Sequence, residues 1–155
     1  PRVVHVPTLY GGDHGPDLDY IADQAGMSIE ETIDIHSTKE YFVYMMGFMP
    51  GFPYLGGLDK RLATPRLDSP RLEIVAGSVG IAESQTGVYP VLSPGGWHII
   101  GRTPLKLFDH SREPPSLLSA GDYLRFVPID GKEEFEVVQE SVAAGTYETT
   151  TSVKQ

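Results

Sequence analysis

Gln85, Thr86 and Arg102 are the side chains best set to do chemistry, because each stands where a short apolar run meets a glycine- or proline-rich turn. Gln85 and Thr86 lie in Ser84-Gln85-Thr86-Gly87-Val88-Tyr89-Pro90. A carboxamide offers both a donor and an acceptor, so Gln85 either reads a carbonyl or amide substrate or ties down its own loop. Arg102 closes Ser93-Pro94-Gly95-Gly96-Trp97-His98-Ile99-Ile100-Gly101-Arg102. Its guanidinium forks onto a carboxylate or phosphate, or else forms an ordinary ion pair with one of 21 acidic residues. Phe52, Tyr54, Tyr89 and Trp97 either floor a pocket or protein contact, or pack in a core. His36 and His98 have the right chemistry for proton transfer, though a lone histidine serves equally as a structural group. Arg66 and Arg71, in a proline-rich segment, attract an anion or are simply solvated.

Other chemistries are excluded by residue type and spacing. The chain has no cysteine, so disulfides, thiolate metal sites and cysteine nucleophiles are absent. His5, His14, His36, His98 and His110 are dispersed, with no pair four apart and no HExxH, so no metal site is expected. Ala76-Gly77-Ser78-Val79-Gly80 misses the nucleophile-elbow spacing by one position, and Ser78 reads as a turn or strand-start residue. No phosphate-binding G-x-x-x-x-G-K-[ST] occurs, so any ATP is expected to bind mainly elsewhere than on this chain.

The formal charge of −9 and a pI near 4.9 argue against general affinity for nucleic acid or anionic membrane. No apolar run approaches the roughly 20 residues of a membrane span, and no signal-peptide pattern opens the chain. A cytoplasmic location is the expectation. At 155 residues, 40% hydrophobic, the chain is long enough for one ordinary globular domain. Because it opens on Pro1, it is expected to be a fragment of a longer protein.

The elements that must position these groups follow from periodicity and turn chemistry. Val3 to Pro7 reads as an entry strand. Pro16 opens a helix over 16–25, with Leu18, Ile21, Ala22 and Ala25 on one face, and Ser28 with Glu31 makes a capping box for a second helix over 29–36. Glu40 to Phe48 is so continuously apolar that a strand buried on both faces is expected. Leu58 to Leu62 suits one helical turn, and Thr64-Pro65-Arg66 and Ser69-Pro70-Arg71 predict an extended, exposed segment. Residues 78–82, 88–92, 97–102 and 105–108 are short strand candidates, and 123–129 alternates clearly. Such spacing indicates a barrel or sandwich. Asp130 and Glu133 predict a second capping box before a helix carrying Phe135, Val138, Val142 and Ala143, and the Thr-rich end after Gly145 is expected to be strand-like or frayed.

Four motifs in order carry a resemblance: Gly47-Phe48-Met49-Pro50-Gly51-Phe52-Pro53-Tyr54-Leu55-Gly56-Gly57, Ala76 to Ala82, Ser84 to Pro90, and Ser93 to Leu105. They resemble the allophanate hydrolase subunit 1 family, which includes the PxpB subunit of bacterial 5-oxoprolinase and the sporulation kinase inhibitor KipI. The resemblance, which runs from about Val4 to Val127, implies a mainly β fold, a cyclophilin-like antiparallel β-barrel with a few short helices. It implies a cyclophilin-like domain over 1–144 that includes the helical pair at 16–36, a tail over 145–155, and a family N-terminal domain outside this chain. It further implies a component of an ATP-dependent amidohydrolase, most simply one opening 5-oxoproline to glutamate. ATP would be used by the complex. Its partners would be a second cyclophilin-like subunit (allophanate hydrolase subunit 2, PxpC-like) and a PxpA-like subunit. The alternatives are a KipI-like module that binds a histidine kinase, and an allophanate hydrolase or urea carboxylase-type component. On the amidohydrolase reading Gln85, Thr86, Tyr89 and Arg102 face substrate or phosphate, while Phe52, Tyr54 and Trp97 are walls. Two positions depart from the family pattern: Glu83 stands where many relatives have glycine, and His98 where they have glutamine. A carboxylate and an imidazole there make a candidate acid/base pair, or mark a different substrate.

Overall fold

The computed structural model describes residues 1–47 and 49–155. In chain order it contains β1 (Arg2–Tyr10), α1 (Leu18–Ala25), α2 (Ile29–Ser37), β2 (Tyr41–Met46), β3 (Pro53–Gly56), β4 (Arg71–Ile74), β5 (Ser78–Ala82) and β6 (Gln85–Val88). There follow β7 (Ser93–Gly95), β8 (His98–Arg102), β9 (Tyr123–Pro128), α3 (Gly131–Ala143) and β10 (Thr151–Val153). Two short 3-10 turns, Gly12–His14 and Lys60–Leu62, complete the set, and the second is the helical turn expected near Leu62.

The strands run β1-β8-β5-β6-β3-β2-β9, and β9 pairs back onto β1, so the sheet closes into a seven-stranded barrel. The mainly β, cyclophilin-like barrel implied by the family resemblance is the architecture found. Closure is made by the one parallel pairing, Val3↔Tyr123 through Thr8↔Pro128, while the other pairings are antiparallel. Strands β4 and β7 form a separate two-stranded ribbon. Barrel closure removes free edges, which otherwise present unpaired backbone groups.

Side-chain alternation sends Val4, Val6, Tyr41, Val43, Leu55, Val79, Ile81, Val88, Leu124 and Phe126 inward, and Leu18 and Ile21 of α1 join this core. The Ser28 box forms as expected: Ser28 Oγ accepts from Glu31 N–H at 3.1 Å, and Ser28 N–H donates to Glu31 Oε1 at 3.2 Å. Ahead of α3 the expected Asp130/Glu133 box is replaced. Asp130 makes no side-chain cap; its N–H donates to Glu134 Oε2 at 3.0 Å, and Gly131 at φ 75° displaces the entry to the helix.

Strand β2 corrects the expectation of two buried faces. Tyr41 and Val43 are buried, but Phe42 and Tyr44 are 41% and 44% exposed. Packing among outward rings explains the continuous apolar run, with Phe42 at 5.3 Å from Tyr123 and Tyr44 at 6.3 Å from Tyr54. Phe48, expected to end that strand, lies outside the described residues. The candidate at 88–92 is displaced to 85–88, because Pro90 has no N–H with which to continue a ladder. Residues 105–108 bury Leu105 and Leu107 yet form no named strand; they are tied by Leu117 N–H to Leu107 O and a bridge from Phe108 to Ser116. Thr64, expected exposed, is buried with reciprocal backbone bonds to Glu83 of 3.1 and 2.7 Å. The Thr-rich end is strand-like: β10 pairs with β1 through Arg2↔Val153 and Val4↔Thr151.

Gly77 is where the fold requires glycine. Its φ is 90°, its N–H donates to Tyr89 O at 2.7 Å, its carbonyl accepts from Thr103 N–H at 2.8 Å, and an added Cβ would run into the Thr103 carbonyl oxygen. Gly77→Ala is therefore expected to lower unfolding free energy by about 2 kcal/mol or more, read as a drop in urea midpoint. An unchanged midpoint would show that the turn relaxes freely.

Candidate functional site

Thr86 points into the barrel interior. Its Oγ1 donates to Gly80 O at 2.8 Å and lies 2.9 Å from His36 Nε2, while His36 Nδ1 lies 2.6 Å from Tyr10 Oη. Because the Thr86 proton is committed to a carbonyl, His36 Nε2–H must donate to Thr86, which leaves Nδ1 to accept from the Tyr10 hydroxyl. His36 also stacks on Phe126 at 4.6 Å, and its carbonyl accepts from Tyr41 Oη at 2.7 Å. Burial without an acidic partner lowers the His36 pKa to about 3, so the ring is neutral. Burial likewise pushes the Tyr10 hydroxyl well up.

Phe52, Tyr89 and Trp97 meet one another rather than an open space. The Phe52 ring lies 5.5 Å from both Tyr89 and Trp97 in edge-on contacts, and the three are at most 4% exposed. With Ile74, Ala82 and Ile99 they form a second core beside the barrel interior, against which Tyr54 packs. Burial is the main force raising the Tyr89 hydroxyl pKa.

Gln85 faces outward, where its Nε2 donates to the Tyr44 hydroxyl. Glu83 and His98 are brought to one segment but not to each other. Glu83 bridges Thr64 through backbone and lies 3.8 Å from Arg66, with both side chains more than half exposed. Its φ of 54° is the left-handed conformation that glycine adopts freely, which accounts for glycine at this position in relatives. His98 Nε2–H donates to Pro65 O at 3.0 Å, and Tyr20 stacks on the ring at 5.0 Å. Its Nδ1 is buried without a hydrogen-bond partner among the described residues.

Arg102 opens into a different place, a cleft of about 380 Å³. Asp13 and His14 from the turn after β1, Ile74 and Ser78 flanking the second ribbon, and Ile99 and Arg102 of β8 line it. Arg102 Nε–H donates to Ala76 O at 3.0 Å and its guanidinium carbon lies 5.5 Å from the Phe135 ring centre. His14 rests on the same ring at 4.8 Å. Burial lowers the Arg102 pKa, and no carboxylate lies within ion-pair distance of it among the described residues. His14 is lowered too, first by burial and then by the charge of Arg102.

Arg71 also lines this cleft, but its charge is spent on Asp17, which accepts at 2.7 and 2.9 Å and takes the Ile99 N–H at 2.7 Å. Burial pushes the Asp17 carboxyl up, but the Arg71 and Ile99 hydrogen bonds outweigh it and hold the group below the usual carboxylate range. Asp17 faces a neighbouring groove with Tyr20, Arg66 and His98, so the ion pair is the wall between the two depressions. Asp17→Ala is expected to cost about 2 kcal/mol in urea unfolding by stranding a guanidinium and a backbone donor. A loss below about 0.5 kcal/mol would reduce the pair to an ordinary surface contact.

His14, Ser78 and Asp17 carried no recognisable motif. Asp17 occupies the position before α1, where an acidic residue ordinarily caps the helix, yet its side chain crosses to β8 and β4.

Residues 1–118 match the family described as carboxyltransferase domain, subdomain C and D. Over 140 residues the chain is 56% identical to the PxpB subunit of 5-oxoprolinase from Bacillus subtilis (strain 168), covering 90% of this chain and 58% of that one. It is 53% identical over 127 residues to the corresponding 5-oxoprolinase subunit of Escherichia coli O157:H7, covering 82% and 58%. It thus spans less than two thirds of these curated relatives. A conserved uncharacterized protein from Pyrococcus horikoshii superposes with a TM-score of 0.82 at 54% identity, covering 86% of this chain and 61% of that one. The K. lactis urea amidolyase superposes with a TM-score of 0.83 over 97% of this chain and 11% of that one; at 22% identity this is a likeness of fold alone. Motifs, barrel and the match over residues 1–118 agree: the chain belongs to the carboxyltransferase domain family, subdomains C and D, in which its resemblance to the PxpB subunit of 5-oxoprolinase also lies.

Proposed function

We propose that this chain is part of one subunit of an ATP-dependent amidohydrolase complex that opens 5-oxoproline to glutamate. The observation that carries this reading is the 56% identity over 140 residues to a PxpB subunit of 5-oxoprolinase. A lactam is resonance-stabilised, so phosphorylation of its amide oxygen by ATP gives water a better electrophile. This chain contributes half of a site shared with a second cyclophilin-like subunit, and a PxpA-like subunit completes the complex. The separation of Arg102, His98 and Gln85 onto different surfaces supports a shared site, because each can meet a partner without the others. The test is co-purification of the full-length protein with its genomic neighbours, followed by parallel assays with 5-oxoproline and allophanate. ATP-dependent turnover of 5-oxoproline is the expected result. Turnover of allophanate alone would move the complex to the allophanate hydrolase class, and turnover of neither would end the amidohydrolase reading.

A second reading rests on the outward rings of Phe42, Tyr44 and Tyr123, which suit a protein contact. On it the chain is a KipI-like module that binds a histidine kinase. Inhibition of kinase autophosphorylation by the full-length protein would support it, and no effect at saturating concentration would remove it.

A further inference from the structure

The Arg102 cleft contains a half-buried cation whose charge the protein leaves unanswered. Its Nε is fixed on Ala76 O and its planar group lies against Phe135, so orientation is set by contacts that spare the two terminal NH₂ groups. The other cation of the cleft, Arg71, is neutralised by Asp17. Ser78, 3% exposed, lines the same space, and its hydroxyl makes no hydrogen bond to the protein among the described residues. Ile74, Val75, Pro16 and Ile99 supply an apolar wall. Asp13 and Glu73 also line the cleft, and both are exposed.

We infer that this cleft binds a small singly charged carboxylic acid, with the carboxylate forked on the Arg102 terminal nitrogens and Ser78 and the body of the molecule against Ile74 and Ile99. One free guanidinium matches one negative charge, and the fork geometry matches a carboxylate. Asp13 and Glu73 oppose a second negative charge, which disfavours a phosphate dianion. They also offer acceptors to an N–H on the ligand, so an amido acid suits the cleft better than a plain fatty or keto acid. Identification of that amido acid as 5-oxoproline rests on the function proposed above; the carboxylate subsite itself does not. Phe135 belongs to α3, beyond the residues 1–118 of the family match, so the site is braced by a helix outside the matched region.

The experiment is an NMR titration of the isotope-labelled full chain with 5-oxoproline, 2-pyrrolidinone, which lacks the carboxylate, and inorganic phosphate. Saturable shifts at His14, Ser78 and Arg102 are expected with 5-oxoproline, and none there with 2-pyrrolidinone or with phosphate at equal concentration. Arg102→Gln should weaken binding about 30-fold and raise the KM for 5-oxoproline of the assembled complex by a similar factor. The wild-type titration stands alone if the variant fails to fold. Shifts centred on His98 or Gln85, equal binding of 2-pyrrolidinone, preferential binding of phosphate, or no saturable shift would overturn the inference. A complex that turns over 5-oxoproline with an unchanged KM in a folded Arg102→Gln variant removes the subsite and leaves the function. Carboxylate binding in the cleft without turnover of 5-oxoproline by the complex removes the function and leaves the subsite.

Discussion

Lowering the pH from 7 to 4 is expected to cost the folded domain roughly 3 kcal/mol through His36 alone. The folded ring has its pKa lowered from 6.5 to about 3 by burial. Between those values the unfolded chain binds a proton that the native state refuses, so stability falls as pH drops below about 6.5, by about 1.4 kcal/mol per unit. Above that pH both states carry neutral imidazole and the effect vanishes. The native ring cannot accept the proton cheaply, because Nδ1 already accepts from Tyr10 and Nε2–H is donated to Thr86 inside an apolar barrel. His5 and His14 are lowered as well and act in the same direction. Asp17, Asp59 and Asp109 are lowered from 3.8, so their contribution is lost only at more acid pH. Urea unfolding across pH 4 to 7 of the wild type and of His36→Gln separates these groups. The variant should be less stable at pH 7 and lose most of the slope; an undiminished slope would assign the acid sensitivity elsewhere.

Trp97→Ala should cost about 3 to 5 kcal/mol, which lowers the melting temperature by about 10 °C for a domain of this size. Trp97 is 4% exposed and makes edge-on contacts with Phe52 and Tyr89 at 5.5 and 6.3 Å. Its CZ3 edge also lies where a Cβ on Gly87 would be, so indole and β6 backbone are in direct contact. Truncation leaves a cavity between the second core and the barrel that rigid neighbours cannot fill. A ring serving as a ligand wall would instead be truncated at a cost below about 1 kcal/mol while binding suffered. Thermal melting of the variant decides between these, and a small shift would return Trp97 to the surface of a pocket.

The barrel was legible because turn chemistry and period-two alternation act locally. Gly77, Pro90 and the Ser28/Glu31 pair mark element ends by backbone rules that need no tertiary information. The one-sidedness of β2 was not legible, since Phe42 and Tyr44 are as apolar as the buried Tyr41 and Val43, and only the rings of Tyr123 and Tyr54 explain them. Thr86 shows the same limit in the candidate site: one residue from Gln85, it points to the opposite side of β6 and reaches His36, fifty residues away. His14 and Ser78 join Arg102 only because β1, β5 and β8 are neighbours in the closed sheet.

Glutamate formation from 5-oxoproline by the complex reconstituted with the full-length protein tests the proposed function most directly. Glutamate should accumulate only when ATP, the partner subunits and this protein are all present, with ATP consumed as it forms. Equal glutamate production with this protein left out, or none from the assembled complex, would contradict its place in a 5-oxoprolinase.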